Sequence, residues 1–312
     1  MAYAHEPVLL DEVIHYLNPK PGQRFIDGTL GGGGHTLAML NRIFPKGAVL
    51  AIDLDPTAIK AATTKTKKFS SNIIFVKNNF KNLKQIAYDN KFTNVSGIVL
   101  DLGLSSGQLQ DRFRGFSFLA DGTLDMRFGP DQGITAREIV NAYPEQDLAD
   151  IFKTYGEERL AWPIAKKIVE LRKQQAIDTP AQLVAIVSEL YQRYFHKPSR
   201  TNPATKVFQA LRIAVNEEME NLDQVLPDAL AVLKSGGRLA VISYHSLEDR
   251  KVKTFFKKES VDCICPPELP VCQCDHKASI TLVTKKPVTP GLEEITRNSR
   301  ARSAKLRVAQ KL

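Results

Sequence analysis

The chain is poor in cysteine, and what it has is confined to one place: four in 312 residues, all between positions 263 and 274. So few, so clustered, exclude a disulfide-stapled secreted scaffold. No apolar run approaches the ~20 residues of a membrane span. The start, Met1-Ala2-Tyr3-Ala4-His5-Glu6-Pro7, has neither the basic lead nor the apolar core of a signal peptide. The expected location is therefore the cytoplasm. No Gly-x-Ser-x-Gly elbow and no HExxH helix occur, so triad-hydrolase and zincin chemistry lack support. Internal repeats and low-complexity tracts are also missing. Acid is short relative to base, with 34 Asp and Glu against 43 Lys and Arg, a net charge of +9. That balance favours a polyanionic partner, most commonly nucleic acid. Hydrophobic content of 43% is ordinary for a globular protein, and the length suggests about two domains.

The most informative stretch is Phe25-Ile26-Asp27-Gly28-Thr29-Leu30, then Gly31-Gly32-Gly33-Gly34, then His35-Thr36-Leu37. A strand ends in an acid, four glycines follow, and a helix begins. Four glycines cost backbone entropy and bring no packing, so they mark a sharp turn or a close approach to a ligand. No Lys-Ser/Thr closes the run as in a P-loop. In the Gly-x-Gly-x-x-Gly frame, Thr36 stands where the third glycine belongs. A phosphate cradle is thus disfavoured, and Asp27 suits a cation. Further strands end at acids: Ala48–Ile52 at Asp53 and Gly97–Leu100 at Asp101. An acid after strand two typically accepts from adenosine ribose hydroxyls. A nucleoside carrying positive charge fits such a site, and S-adenosylmethionine is one. Against this stands a plainer reading, in which the acids only cap helices.

Strands at 25–30, 48–52, 73–76 and 97–100 alternate with helices at 36–44 and 56–68, which predicts a parallel sheet with right-handed crossovers. From 134 to about 195 only helical patterns occur, with stripes over 157–175 and 181–195. A long helix is expected over 203–233, broken near Pro227. Strands at 238–243, 280–284 and 305–309 complete a seven-stranded sheet. The predicted architecture is α/β: a mostly parallel seven-stranded sheet with an inserted all-helical domain. Its parts are a first core segment (1–130), an inserted helical substrate-recognition domain (131–200) and a second core segment (201–312).

Chemistry-bearing residues gather after strand four, in Asp101-Leu102-Gly103-Leu104-Ser105-Ser106-Gly107-Gln108, Arg112-Phe113-Arg114-Gly115-Phe116-Ser117-Phe118 and Asp121–Arg127. In open α/β sheets ligands sit beyond the strand C-termini, which places Asp101 and Ser105 beside Gly33. Arginines interleaved with aromatics suit base stacking with phosphate contacts, although each phenylalanine alone is more often a core residue. Ser243-Tyr244-His245-Ser246-Leu247-Glu248-Asp249-Arg250 follows strand five. His245 reads equally as a general base or as a structural hydrogen-bonder.

Together these segments closely resemble the MraW/RsmH family of bacterial methyltransferases. The matching stretches are His5–Leu10, Asp27–Thr36, Asp101–Arg127, Thr154–Arg159, Phe208–Asn216, Gly236–Arg250 and Ala301–Arg307, and they span the chain. The resemblance implies a class I (Rossmann-like) methyltransferase core. It implies S-adenosylmethionine-dependent methylation of the exocyclic N4 of a cytidine in small-subunit (16S) ribosomal RNA, near the decoding site. The implied partner is that RNA or the assembled small subunit, with no membrane; a homodimer is left open. The implied cofactor residues are Gly33, Gly34, His35, Asp53, Phe80, Asp101 and Gln108. Asp101, Ser105 and His245 are the expected catalytic residues, with Phe116, Phe118 or Tyr244 stacking the flipped base. Two departures stand out. The family's Ser-Ser-Pro-Gln is Ser105-Ser106-Gly107-Gln108 here, and its His-Pro-Ala-Thr-Arg is Asn202-Pro203-Ala204-Thr205-Lys206. The second exchanges a forked guanidinium for a point charge. The alternatives are methylation of DNA or protein amino groups, or a non-catalytic RNA-binding assembly factor.

Cys263, Cys265, Cys272 and Cys274 form two Cys-x-Cys pairs on a proline-rich loop, with His276 just beyond. They are candidate ligands of a structural Zn²⁺, although Cys-x₂-Cys is the usual spacing. The alternative is a loop of reduced thiols.

Overall fold

A computed structural model describes residues 7–111, 113–118, 122–129, 133–195, 202–266, 268–269 and 271–312. His5, Glu6, Arg112 and Asp121, singled out above, lie outside the described residues.

The chain divides into two compact units, Met1–Gly103 with Met219–Leu312, and Leu104–Glu218. The first begins with α1 (Leu10–Leu17), β1 (Arg24–Asp27), α2 (Gly34–Ile43), β2 (Ala48–Asp53), α3 (Pro56–Lys65), β3 (Ile73–Lys77), α4 (Leu83–Asp89) and β4 (Val95–Asp101). The second holds α5 (Ser106–Gln110), α6 (Ala136–Ala142), α7 (Glu145–Gly156), α8 (Ala161–Leu171), α9 (Pro180–Phe195) and α10 (Thr205–Asn216). The chain then continues through α11 (Glu218–Val232), β5 (Leu233–Ser243), α12 (Ser246–Glu259), β6 (Ile280–Leu282), α13 (Leu292–Arg297) and β7 (Lys305–Lys311).

The strands form one sheet in the order β3-β2-β1-β4-β5-β7-β6. The first five are parallel, and β7 runs antiparallel to both β5 and β6. The mostly parallel, seven-stranded Rossmann-like sheet expected from the sequence is present. Strand order reverses between β1 and β4, which sit side by side. That switch point is where a doubly wound sheet opens a crevice beyond its strand C-termini.

Period-two alternation divides the strand residues between two faces. Phe25, Val49, Val99, Ala240, Ile242, Leu306 and Val308 pack with α1 and α2 on one face. Ile26, Leu50, Ile98, Leu100, Leu239 and Val241 pack with α4, α11 and α12 on the other. Burying both faces explains why β4 is almost continuously apolar.

The helical unit is wider than 131–200. Its core draws in Phe116, Leu124 and Met126 before α6 and Val207, Phe208 and Leu211 of α10 after α9. The expected break in the 203–233 helix falls at Glu217, not at Pro227. Glu217 adopts φ +50° and ends α10 with its backbone N–H on the Ile213 and Ala214 carbonyls. Pro227 sits inside α11. A left-handed residue ends a helix, whereas proline removes only one donor from a ladder held by packing.

Candidate active site

The site is built on the tips of β1, β2 and β4. Asp27 ends β1 and is spent on its own loop: one carboxylate oxygen accepts from the Thr36 hydroxyl at 2.6 Å, the other from the Thr29 N–H at 3.2 Å. The loop is then pinned on both sides. Gly31 N–H donates to Asp53 Oδ2 at 2.7 Å, and Asp101 N–H donates to Thr29 Oγ1 at 2.6 Å. The glycine run therefore serves the turn first. Gly33 has φ +69°, and a Cβ there would lie 2.9 Å from the Ala62 Cβ of α3. A side chain on Gly34 would strike the Pro7 ring at 2.7 Å. At Gly31, with φ +48°, only the Thr29 carbonyl comes within 4 Å of such an atom. That position alone in the run, among those three, leaves room above the backbone.

Asp53 also accepts from Asp55 N–H at 2.8 Å, and burial raises its carboxyl to about 6. Burial likewise raises Asp27 to about 6 and Asp101 to about 7. Among the described residues no lysine or arginine pairs with any of the three; the charged groups that face them are Asp55 towards Asp53, Glu248 towards Asp101, and His35, whose Nδ1 lies 3.9 Å from Asp101 Oδ2. His35 brings no positive charge, because burial lowers its pKa. Its Nε2 lies 3.0 Å from the Val8 carbonyl, which can only accept, so the ring proton sits there. Nδ1 therefore offers a lone pair towards Asp101. Three acids, one buried and two part-buried, with no lysine or arginine partner among the described residues form a site suited to a cation.

Tyr244 was expected as a stacking platform. In the structure its hydroxyl also donates to Asp101 Oδ1 at 2.7 Å. Burial holds the phenol well above its ordinary pKa, so it remains a donor. No sequence motif announces this bond between residues 143 positions apart. The Thr29 contact to Asp27 was readable in principle, since an acid two residues before an N–H commonly closes an Asx turn.

His245 turns out to cap α12. Its Nδ1 lies 3.4 Å from Glu248 N–H, while Glu248 Oε2 accepts from the N–H groups of Tyr244 at 2.7 Å and His245 at 3.3 Å. Its Nε2 is buried and lies 3.1 Å from Glu248 Oε1, but makes no hydrogen bond among the described residues. The Nδ1 of His245 is thus engaged in the helix cap. Phe80 lies just past β3, half-buried against the sheet.

Ser105 and Gln108 belong to the helical unit. Ser105 caps α5 reciprocally with Gln108, by bonds of 3.2 and 2.9 Å, and the Gln108 Nε2 reaches the Phe128 carbonyl at 3.3 Å. Both ends of that amide are committed locally. Phe116 is 8% exposed and stacks on Phe128, and Phe118 meets Phe208 edge-on at 4.8 Å. Phe116 is a core residue, and Phe118 is part-buried, packed against the same core. Phe113 is the exposed aromatic of that segment, at 78%. Arg114 donates to the Arg127 and Phe128 carbonyls. Lys206, at the second departure, donates to the Glu157 carbonyl at 2.8 Å and closes the end of α7.

The four cysteine sulfurs lie within 4.8 Å of one another. His276 stands aside, its Nε2 2.9 Å from the Lys258 carbonyl. A separate polar cleft lined by Leu17, Lys20, Gln23, Ser96, Lys234 and Arg238 sits at the strand N-termini, away from the three acids.

No described helix is long and apolar enough to cross a membrane. Residues 2–312 match the model of the MraW methylase family. A Thermomicrobium roseum protein named ribosomal RNA small subunit methyltransferase H is 48% identical over 312 residues, 100% of this chain and 95% of that one. A Heliobacterium mobile protein of the same name is 44% identical over 313 residues, 100% of both. Among solved structures, a Streptococcus mutans methyltransferase in complex with SAH aligns over 98% of this chain and 99% of that one, at 13% identity and a TM-score of 0.44.

Proposed function

The chain belongs to the MraW methylase family, and from that premise we propose that it transfers a methyl group from S-adenosylmethionine to the exocyclic N4 of a cytidine in small-subunit ribosomal RNA. One observation carries the cofactor: three carboxylates at the tips of β1, β2 and β4, Asp27 buried and Asp53 and Asp101 part-buried, have no lysine or arginine partner among the described residues. A bound cation offsets their desolvation. S-adenosylmethionine supplies a sulfonium whose methyl carbon is electrophilic. Asp53 is the residue for the ribose hydroxyls, its carboxylate retaining lone pairs beyond the two it gives to backbone N–H groups. The open face at Gly31 gives the ligand backbone to lie against.

Asp101 carries the chemistry in this reading. The cytosine amino nitrogen is a poor nucleophile, because its lone pair is delocalised into the ring. A carboxylate accepting one N–H holds the amino group so that the lone pair faces the methyl carbon. Positioning of this kind supplies much of the rate. As the N–C bond forms and the C–S bond breaks, the nitrogen gains positive charge and must lose a proton. Asp101, raised to about 7 by burial, is an acceptor matched to neutral pH. Tyr244 fixes Oδ1 of that carboxylate, leaving Oδ2 for the substrate. Substrate recognition falls to the helical unit and to exposed basic residues such as Arg302. Zinc held by the four cysteines would stand outside the reaction, since four thiolates leave no open coordination position.

Methyl incorporation from labelled S-adenosylmethionine into small subunits, DNA and protein, taken from a strain lacking the enzyme, tests the substrate class. Label in the RNA supports the proposal. Label in DNA or protein, or binding to subunits without transfer, overturns it.

A further inference from the structure

The segment between α12 and β6 has a construction that the methyl-transfer site leaves unexplained. Its base is closed by ordinary hydrogen bonds: Ser279 N–H to the Glu259 carbonyl at 2.8 Å and Ala278 N–H to Asp262 Oδ1 at 3.1 Å. Among its described residues the outer part has no apolar core. Val261, Ile264, Leu269 and Val271 are 38%, 43%, 41% and 69% exposed. A short excursion without a core needs a staple to hold one conformation. What converges there is sulfur. Cys272 Sγ lies 3.6 Å from Cys274 Sγ, and Cys274 Sγ lies 3.9 Å from Cys263 Sγ.

These separations discriminate between staples. A disulfide needs sulfurs about 2.05 Å apart. Four thiolates at about 2.3 Å from a tetrahedral ion lie about 3.8 Å from one another. The observed spacing is that of the second arrangement. Two backbone donors cross between the Cys-x-Cys pairs: Ile264 N–H points at Cys274 Sγ at 3.4 Å, and Gln273 N–H at Cys265 Sγ at 3.3 Å. N–H donors to sulfur stabilise thiolate charge and orient the ligands. Lys257, Lys258 and Lys277 flank the segment in sequence and suit the net −2 of a tetrathiolate site on a divalent ion.

We propose that Cys263, Cys265, Cys272 and Cys274 bind one Zn²⁺, which holds the segment between α12 and β6 in a fixed conformation. Zinc is the ion of choice because it accepts four thiolates in a tetrahedron and has no redox chemistry to expose the thiols to oxidation. The closed ligand set makes the site structural, and its gain in order is passed to β6, an edge strand that begins one residue after Ser279.

The test uses the full chain, purified without chelator. Elemental analysis should find about one zinc per chain. The double variant Cys272→Ser with Cys274→Ser should retain less than about a tenth of that, since half the ligands are gone. Because that variant could fail to fold, the unaltered chain is also loaded with Co²⁺ alone. It should show thiolate-to-cobalt charge transfer and the visible bands of a tetrahedral tetrathiolate site. Limited proteolysis should then cut between residues 260 and 279 faster after zinc is stripped. A zinc-free chain that takes up neither Zn²⁺ nor Co²⁺, iron in place of zinc, a disulfide between any two of the cysteines, or zinc retained by the double variant would each overturn the proposal.

Discussion

Asp101→Asn should make the cofactor-free protein more stable, and only at neutral to alkaline pH. Burial lifts this carboxyl from 3.8 to about 7. At about 1.4 kcal/mol per unit, keeping it ionised in the fold costs at most ~4 kcal/mol. Relaxation and the 13% exposure of the side chain reduce that to ~2 kcal/mol. The raised folded pKa means that the native state binds the proton more tightly than the unfolded one. The wild type therefore has its full share of this stability below about pH 4, and loses it as pH rises through about 7. Asparagine does not titrate. Its carbonyl still accepts from the Tyr244 hydroxyl, and its amide N–H faces the His35 Nδ1 lone pair that the carboxylate opposes. Thermal melting at about pH 8 should place the variant about 4 °C above wild type, on the scale of ~2–4 °C per kcal/mol for a chain of this size. The advantage should shrink at about pH 5, where the wild-type carboxyl is already protonated. A variant that melts at or below wild type at about pH 8, or with the same offset at both pH values, would refute the assignment of Asp101 as a strained, uncompensated acid.

The same substitution should lower kcat by ~10²-fold or more at saturating S-adenosylmethionine, because the lost acceptor acts in the transition state; recovery of wild-type turnover at saturation would remove Asp101 from catalysis. Asp53→Ala should weaken S-adenosylmethionine binding by ~1–3 kcal/mol in calorimetry, through loss of the ribose acceptor and of the Gly31 tether, and unchanged affinity would end the ribose assignment. Phe118→Ala should cost ~3 kcal/mol of stability by emptying its contact with Phe208; an unchanged melt with weakened RNA binding would restore the stacking role. RNA affinity should fall steeply with salt, and Arg302→Ala should reduce the slope of log K against log salt by about one; a flat dependence would remove the electrostatic footprint.

The sheet was legible in the sequence because β1, β2 and β4, buried on both faces, read as short apolar runs ending in polar residues. Asp27, Asp53 and Asp101 were legible for the same reason: they mark where the apolar runs stop. What they touch was not. The Tyr244–Asp101 bond joins segments that only the β4–β5 pairing brings together. Phe116 and Phe118 sit in an arginine-rich stretch, and the packing of Phe118 involves Phe208 of α10, some ninety residues later. The break at Glu217 has no sequence signature as strong as Pro227, since a residue other than glycine can be held in the left-handed region where the surrounding structure over-determines it. His245 was ambiguous for a similar reason: a ring nitrogen that accepts from a backbone N–H looks, in sequence, like one poised to accept from a substrate.

The most direct test is the identity of the methylated nucleoside. Small ribosomal subunits from a strain lacking the enzyme are incubated with this protein and isotopically labelled S-adenosylmethionine, the RNA is digested, and nucleosides are resolved by mass spectrometry. The account predicts label in N4-methylcytidine, abolished by Asp101→Ala. Label on a ring carbon, on a ribose hydroxyl or on another base would contradict it.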